Sequence, residues 1–200
     1  MNPAAATITW YIPVSALLVA IFYSITLFNR LVRLDNERKN AFSQISVQLK
    51  RRHDLIPNLV ETAKGYLRHE RQTLEAVINA RNHADTARKT ADRSPTPEAM
   101  GALMGAEQRL GGVLGNLFAV VEQYPEIKAD QTMARLHEEL TSTENRIAFA
   151  RQAFNDAVMV YNTRRASFPD TLVARMAGFQ EAMPWDDLTA EERAAVQVTF

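Results

Sequence analysis

The sequence predicts an all-α protein in which an N-terminal transmembrane helix continues into an antiparallel bundle of three long helices, followed by short C-terminal helices. Three observations support this fold class. Residues 8–28 contain no Asp, Glu, Lys, Arg or His. Beyond them, apolar residues recur every three or four positions, the period of one face of a helix. Val, Ile and aromatic residues never alternate with polar residues over the length of a strand.

The first element is the apolar segment at residues 8–28. About 21 residues at a rise of ~1.5 Å each form a helix ~31 Å long, which matches the hydrocarbon thickness of a bilayer. Trp10 and Tyr11 suit one membrane interface. We therefore predict a single span in contact with lipid. A cleaved signal peptide is the alternative, but the segment lacks the basic N-terminal region and the small-x-small cleavage site.

The charges that flank the span predict its orientation. No Lys or Arg precedes it, whereas four basic residues follow at once: Arg30, Arg33, Arg38 and Lys39. Basic residues are enriched on the cytoplasmic side of membrane proteins. The N-terminus is therefore expected outside and the large C-terminal part in the cytoplasm.

Composition and motif content exclude several classes of function. The formal net charge of +0 does not favour a nucleic-acid partner. Without cysteine there is no disulfide, thiolate nucleophile or thiolate metal site. The histidines lack the Glu-x-x-His spacing of a di-iron bundle, and no P-loop or nucleophile elbow is present. We expect no catalytic residue, no cofactor, no metal and no enzymatic activity.

The first bundle helix is predicted to grow out of the span and to reach Ala84 without a turn signal. Pro57 frees the carbonyl of His53, so we expect a kink or a broken turn there, and Gly65 weakens the following turns. From residue 83 the apolar period is lost. The apolar stripe is wide enough to need two or more partner helices, and it consists of Leu31, Leu34, Phe42, Ile45, Leu49, Ile56, Leu59, Ala63, Tyr66, Val77 and Ala80.

A second helix is predicted from Pro97, with Thr96 as its N-cap, to about Gln123. It contains five glycines: Gly101, Gly105, Gly111, Gly112 and Gly115. Each interior glycine costs a helix ~1 kcal/mol relative to alanine, so the set needs a compensating reason. Close approach of another helix is such a reason. That helix belongs either to the same chain or to a neighbouring subunit, and we treat the glycines as candidate self-association residues.

A third helix is predicted from about Ile127 to about Arg165. Its apolar residues keep a 3,4 spacing over four heptads, which is typical of a coiled coil. Asp170 is expected to cap a short helix that ends at Gly178. The predicted domains are residues 1–29 with the span, residues 30–180 with the bundle, and a tail at 181–200.

Two further features are candidate contacts with a partner or with lipid. The densest basic cluster is Lys50, Arg51 and Arg52. A straight helix would hold it ~30 Å from the bilayer, well beyond a Debye length of ~8 Å, so a solvated face or an inter-subunit salt bridge is favoured over lipid. The apolar end at Phe200 either packs back on the bundle or is offered to a partner.

Several blocks of sequence resemble the LemA family over nearly the whole chain. The blocks are Leu31–Asn36, Val47–Arg52, Asp54–Val60, Lys64–Tyr66, Leu74–Ala76, Ala119–Pro125, Glu139–Gln152, Tyr161–Asn162, Ser167–Pro169 and Gly178–Phe179. The sequence departs from the family pattern at Phe42, where Trp is frequent, and at Ser46, where Asp is usual.

The resemblance implies a bacterial single-span inner-membrane protein with an antiparallel helical bundle and no established catalytic activity. It supplies no catalytic residues. Relatives include a magnetosome-membrane protein, which favours a role in membrane organisation. The resulting hypothesis is a non-enzymatic membrane-anchored scaffold that forms a homo-oligomer and organises or shapes the inner membrane. The alternative is a regulatory adaptor that binds an envelope protease or stress-response partner through the basic helix or the tail.

Overall fold

The structure, a computed structural model, describes residues 3–67 and 69–185; for residues 3–10 and 12 it describes the backbone alone. The described helices are α1 (Pro3–Lys64), α2 (Arg71–Arg93), α3 (Pro97–Val121), α4 (Pro125–Lys128), α5 (Gln131–Ala166) and α6 (Asp170–Ala177). No strand occurs in these two ranges, and the all-α prediction is confirmed. Phe200 and most of the predicted tail lie outside the described residues.

The first predicted bundle helix is divided into α1 and α2, so the expectation of an unbroken helix to Ala84 is wrong. Gly65 directly follows α1, and the N–H of Leu67 donates to the carbonyl of Ala63 at 2.8 Å to close the turn. Leu67 is 1% exposed and packs this turn into the core. The loss of apolar periodicity from residue 83 does not mark the end of a helix, because α2 continues to Arg93.

Helix α1 passes through Pro57 without a break. The proline cannot donate to the carbonyl of His53, but Arg81 of α2 does so through Nε at 3.0 Å. The predicted loss of a backbone bond is therefore made good by a neighbouring helix, and no broken turn is needed.

The ends of the remaining helices follow local side-chain chemistry. Thr96 caps α3 as predicted, because its hydroxyl accepts the N–H of Ala99 at 3.2 Å. Asp130 caps α5 by accepting the N–H groups of its first turn at 2.8 Å each, so α5 begins later than predicted. Asp170 is the first residue of α6 rather than its cap. Gly178 ends α6 with φ 76°, a conformation that favours glycine.

The described residues form two compact units, and both α1 and α5 contribute to each. Unit 1 contains residues 3–40 and 156–182, and unit 2 contains residues 41–67, 69–155 and 183–185. Each unit has its own buried residues and its own polar contacts, which position the sites described below.

Unit 2 is the antiparallel helical bundle. Along α1 and α5, Phe42 contacts Phe154 with ring centroids 5.8 Å apart, whereas Arg52, further along α1, bonds to the earlier Glu144 of α5. The same reversed order relates α1 to α2 and α3 to α5. The core draws on α1, α2, α3 and α5, and its fully buried members include Ile56, Leu59, Ala63, Val77, Ala84, Leu110 and Leu117.

Unit 1 joins the N-terminal part of α1 to the end of α5, to α6 and to the segment after it. Leu31 is fully buried here. The hydroxyl of Tyr161 donates to the carbonyl of Gln180 at 2.8 Å. The side-chain amide of Asn162 binds the backbone of Ala182 through both of its polar atoms, at 2.8 and 3.0 Å. These bonds hold the segment after α6 against α5.

Candidate functional site

Helix α1 exposes apolar side chains through the predicted span. Leu17, Leu18 and Val19 are 61%, 62% and 67% exposed. The hydroxyls of Ser24 and Thr26 donate to backbone carbonyls one turn earlier in the same helix, at 2.8 and 3.0 Å. This satisfies polar groups that lipid cannot bind. Among the described helices, α1 is the one long and apolar enough to cross a membrane.

The glycines of α3 form a second unpartnered surface, which we call the glycine face: Gly101, Gly105, Gly111, Gly112 and Gly115. A Cβ added at any of these five positions would meet no described atom within 4 Å. Four of the five are exposed, and Gly101 is partly buried. The described helices of this chain therefore do not approach the glycines closely, so no partner within the described residues explains them.

A groove of about 490 Å³ in unit 2 adjoins the glycine face between α3 and α5. Gly111 and Gly115 lie along its α3 side. Phe118 and His137 meet at its edge, with an edge-to-face contact and ring centroids 4.6 Å apart. Arg52 also lines the groove. The glycine face is thus continuous with a concave surface that has both apolar and charged walls.

A buried polar network lies beside this groove and centres on Glu107 of α3. Its carboxylate accepts a hydrogen bond from Arg52, and His53 Nε2 lies 2.8 Å from its Oε1. Arg52 also donates to Glu144 of α5. The side chains of His53 and Glu107 are 0% exposed. One carboxylate therefore ties α1 to α3, and its partner Arg52 extends the tie to α5.

The environment of Glu107 determines its charge. Burial alone would raise the pKa of the carboxyl, but the hydrogen bond from His53 and the positive charge of Arg52 outweigh burial and lower that pKa below its ordinary value. Glu107 is therefore ionised at neutral pH inside the bundle. A buried carboxylate of this kind is stable only while its partners remain.

The network continues towards α2 through Asp85 and Arg88. Asp85 lies 3.7 Å from His53 Nδ1 and accepts a bond from Arg88 at 2.9 Å. Arg88 also donates to Ser46 and Asp92, at 3.2 and 2.7 Å. Burial would raise the pKa of Asp85, but hydrogen bonds and charges from Lys89 and Arg88 lower it well below its usual range. Polar bonds thus connect α1 to α2 as well as to α3.

Comparison with known proteins adds the family. A family model described as "LemA family" matches residues 41–200 of the 200-residue chain. The chain belongs to the LemA family. The resemblance inferred from the sequence blocks is confirmed, and the matched region begins after the predicted span.

Individual relatives of this LemA-family chain carry two kinds of name. Magnetosome protein MamQ 2 of Paramagnetospirillum magneticum is 28% identical over 194 residues, which cover 85% of this chain and 71% of the relative. Magnetosome protein MamQ of Magnetospirillum gryphiswaldense is 26% identical over 169 residues (76% and 62%). Protein LemA of Metamycoplasma hominis is 25% identical over 161 residues (80% and 69%). These relatives and the apolar helix α1 indicate a membrane-associated helical protein.

In the structure of this LemA-family chain, the three residues of the basic cluster lie in different environments. Lys50 is exposed and pairs with Asp54 at 3.0 Å, and Arg51 is exposed. Arg52 is 4% exposed, and its guanidinium binds carboxylates of the same chain. A partner or lipid contact through Lys50 and Arg51 stays a prediction, as does one through Phe200.

The LemA bundle also contains a buried carboxylate that the sequence analysis does not predict. Glu107 is not among the residues that the sequence singles out, yet it lies on the buried face of α3 between Leu103 and Leu110. The sequence does carry a signal for this site, because a glutamate occupies a position of α3 where the helical period otherwise places apolar residues. In the two described ranges, no three His, Asp or Glu side chains come together to hold a metal ion.

Proposed function

We propose that this LemA-family chain is a non-enzymatic scaffold of the bacterial inner membrane that self-associates into a homo-oligomer through the glycine face of α3. The observation that carries the proposal is the open space around the five glycines. Gly105 and Gly112 are seven residues apart, two helical turns, and so share one side of α3. A second copy of the same helix fits a surface that lacks side chains, as small residues allow backbones to approach closely.

The energetic argument is a comparison with alanine. Each interior glycine destabilises a helix by ~1 kcal/mol relative to alanine, and an added methyl group would meet nothing within the described residues. The isolated chain would therefore be more stable with alanine at these positions. A contact outside the chain that requires the bare backbone offsets this loss.

The membrane anchor favours such a contact. A span confines every copy to two dimensions with the same orientation, which raises the effective concentration of copies around each other. Symmetric homo-oligomers are the commonest assemblies of identical chains. We place the N-terminus outside and the bundle in the cytoplasm, because basic residues follow the span directly. Relatives named as magnetosome proteins support a role in organising membrane.

A non-enzymatic role is supported by the state of the candidate acid–base pair. His53 and Glu107 have the residue types of a general base and its partner. Both side chains are fully buried, and Arg52 and Asp85 flank them on other sides. The geometry suits a group of bonds that fixes the register of the helices.

The test is an oligomerisation measurement on the full-length protein. Gly105→Leu and Gly112→Leu place a bulky side chain on the glycine face, where an added Cβ meets no described atom within 4 Å. We expect wild type to form a defined oligomer in mass photometry of nanodisc or mild-detergent samples, and the double variant to shift towards monomer. Circular dichroism checks that the helices are retained.

Ala102→Leu is the matched control, because Ala102 is an exposed small residue of α3 that is rotated about 60° from Gly105 and about 80° from Gly112 around the helix axis. It should leave the oligomer unchanged. A wild-type protein that is monomeric in both membrane mimetics contradicts the proposal. So does an oligomer that survives both glycine substitutions.

A further inference from the structure

The segment around α6 in unit 1 exposes a row of large apolar side chains. Phe168, Leu172 and Met176 are 80%, 54% and 91% exposed. Leu172 and Met176 are four residues apart and so share one side of α6, and Phe168 lies in the turn that leads into the helix. Three exposed apolar side chains in a row differ from the single exposed residues that are ordinary on a protein surface.

The adjoining side of α6 faces the predicted span across a groove of about 470 Å³. Val173, Met176 and Ala177 line the groove on the α6 side, and Ile21, Ile25 and Phe28 of α1 line its other wall. Just after α6, Phe179 makes an edge contact with Phe28, with ring centroids 5.8 Å apart. Helix α6 is therefore placed beside residues that lipid is proposed to surround.

The contact fixes the depth of α6 relative to the end of the span. From Phe28 back to Ile21, a rise of ~1.5 Å per residue corresponds to ~10 Å along α1. Amphipathic helices that lie in a membrane interface bury their apolar face ~5–10 Å into the boundary of headgroups and acyl chains. The position of α6 against α1 matches this depth.

The charges of the segment are compatible with an interface. Asp170, the acidic residue of α6, is 2% exposed and thus turned away from the surroundings. Arg175 is exposed, and Arg164 lies in the last turn of α5. Long basic side chains can keep their charged ends at the headgroups while their stems cover apolar surface. The exposed side of α6 therefore offers apolar groups and a cation, without an acidic group.

We infer that Phe168, Leu172 and Met176 form a second membrane contact, in which α6 lies in the interface beside the C-terminal end of the span. The apolar row contacts acyl chains, and Arg175 contacts lipid phosphate. The inference rests on the membrane anchoring in the proposed function. Lipid is the expected occupant because the row adjoins span residues that are themselves exposed and apolar, including Ile21 and Ile25 at 48% and 53%.

Site-directed spin labelling tests this contact on the full-length protein in nanodiscs of phosphatidylcholine and phosphatidylglycerol. The chain has no cysteine, so each single-cysteine variant carries one label. Met176→Cys and Leu172→Cys report on α6, and Val19→Cys reports on the span. Phe149→Cys is the matched control, since Phe149 is an apolar residue of α5 in unit 2 with 73% exposure. Collision rates with oxygen and with a water-soluble nickel complex are compared.

Labels at Met176 and Leu172 should favour oxygen over nickel by several-fold more than the label at Phe149, and should approach the ratio at Val19. If Val19 favours oxygen while both α6 labels behave like Phe149, the α6 contact is wrong and the anchor stands. If Val19 also behaves like Phe149, the anchoring itself fails. Labels on α6 that are shielded from both reagents indicate a protein covering and overturn the lipid assignment. Using two α6 sites guards against a local effect of one substitution.

Discussion

Helix α1 carries similar apolar side chains in its two halves, but they are exposed in the span and buried in the bundle. In the span, Leu18 is 62% exposed, whereas Ile45 and Leu59 in the bundle are fully buried. The described side chains of the span are largely exposed and apolar, and under the proposed function lipid covers them. The bundle half has one apolar stripe and a charged network, so other helices cover it. Under this proposal, one continuous helix depends on two different surroundings for its stability.

We expect the largest loss of stability when a substitution breaks the charged network of the bundle half. Glu107→Ala leaves Arg52 and His53 buried without their carboxylate, and removing one partner of a buried ion pair costs ~3–5 kcal/mol. The midpoint of thermal or denaturant unfolding in mild detergent should fall accordingly. Glu138→Ala, at an exposed position of α5, is the control and should leave the midpoint unchanged. Equal midpoints for the two variants would show that the network does not stabilise the bundle.

Truncation of one leucine side chain in each half of α1 tests the comparison directly. Leu59→Ala removes a fully buried side chain and should lower the free energy of unfolding by ~2–5 kcal/mol. Leu18→Ala removes a side chain exposed from the protein, so the expected change is within ~0.5 kcal/mol. Unfolding monitored by circular dichroism measures both. A large loss at Leu18 would mean that protein, and not lipid, covers this half.

The pH dependence of stability should be a property of the bundle half. The pKa of Glu107 is lower in the folded chain than its ordinary value of 4.5. Its contribution to stability is therefore complete above pH 4.5 and is lost as the pH falls through the lower folded value. The unfolding midpoint of wild type should decline below pH 4.5 more steeply than that of Glu107→Gln. Parallel curves would contradict the assigned role of this carboxylate, since other acidic groups titrate equally in both proteins.

The smallest effect is expected at the glycine face of α3. Gly105→Ala and Gly112→Ala add a methyl group that meets no described atom, so each should stabilise the monomeric bundle by up to ~1 kcal/mol through helix propensity. The matched measurement is unfolding of both variants at protein concentrations where wild type is monomeric. Destabilisation at these positions would reveal a contact within the chain.

Much of the fold could be predicted from local signals. Thr96 and Pro97 begin α3 as expected, and Gly178 ends α6, because these residues act on the backbone within a few positions of themselves. The break after Lys64 was missed, although Gly65 marked it, because the apolar period resumes in α2 with little change of phase. The cap at Asp130 was missed because Ile127 and Lys128 form the short helix α4 just before it.

The candidate sites were less predictable, because they depend on which helices meet. The five glycines signalled a close contact, but only the packing shows that no described helix of the chain provides it. Arg52 belonged to a basic cluster in the sequence and is buried in the fold, since its partners Glu107 and Glu144 are distant in sequence. Asn155 likewise binds the backbone of Trp185 through both amide atoms, a pairing that no local pattern indicates.

The bond from Arg81 to the carbonyl of His53 has a consequence for how α2 aligns with α1. Proline creates one open acceptor in the middle of α1, and one guanidinium of α2 reaches it. If α2 slid along α1 by one turn, ~5.4 Å, that oxygen would lose its donor within the bundle. An apolar stripe alone would tolerate such a shift, because leucine and alanine can exchange neighbours. Pro57 therefore fixes the position of α2 along α1, because only one placement gives the carbonyl of His53 a donor.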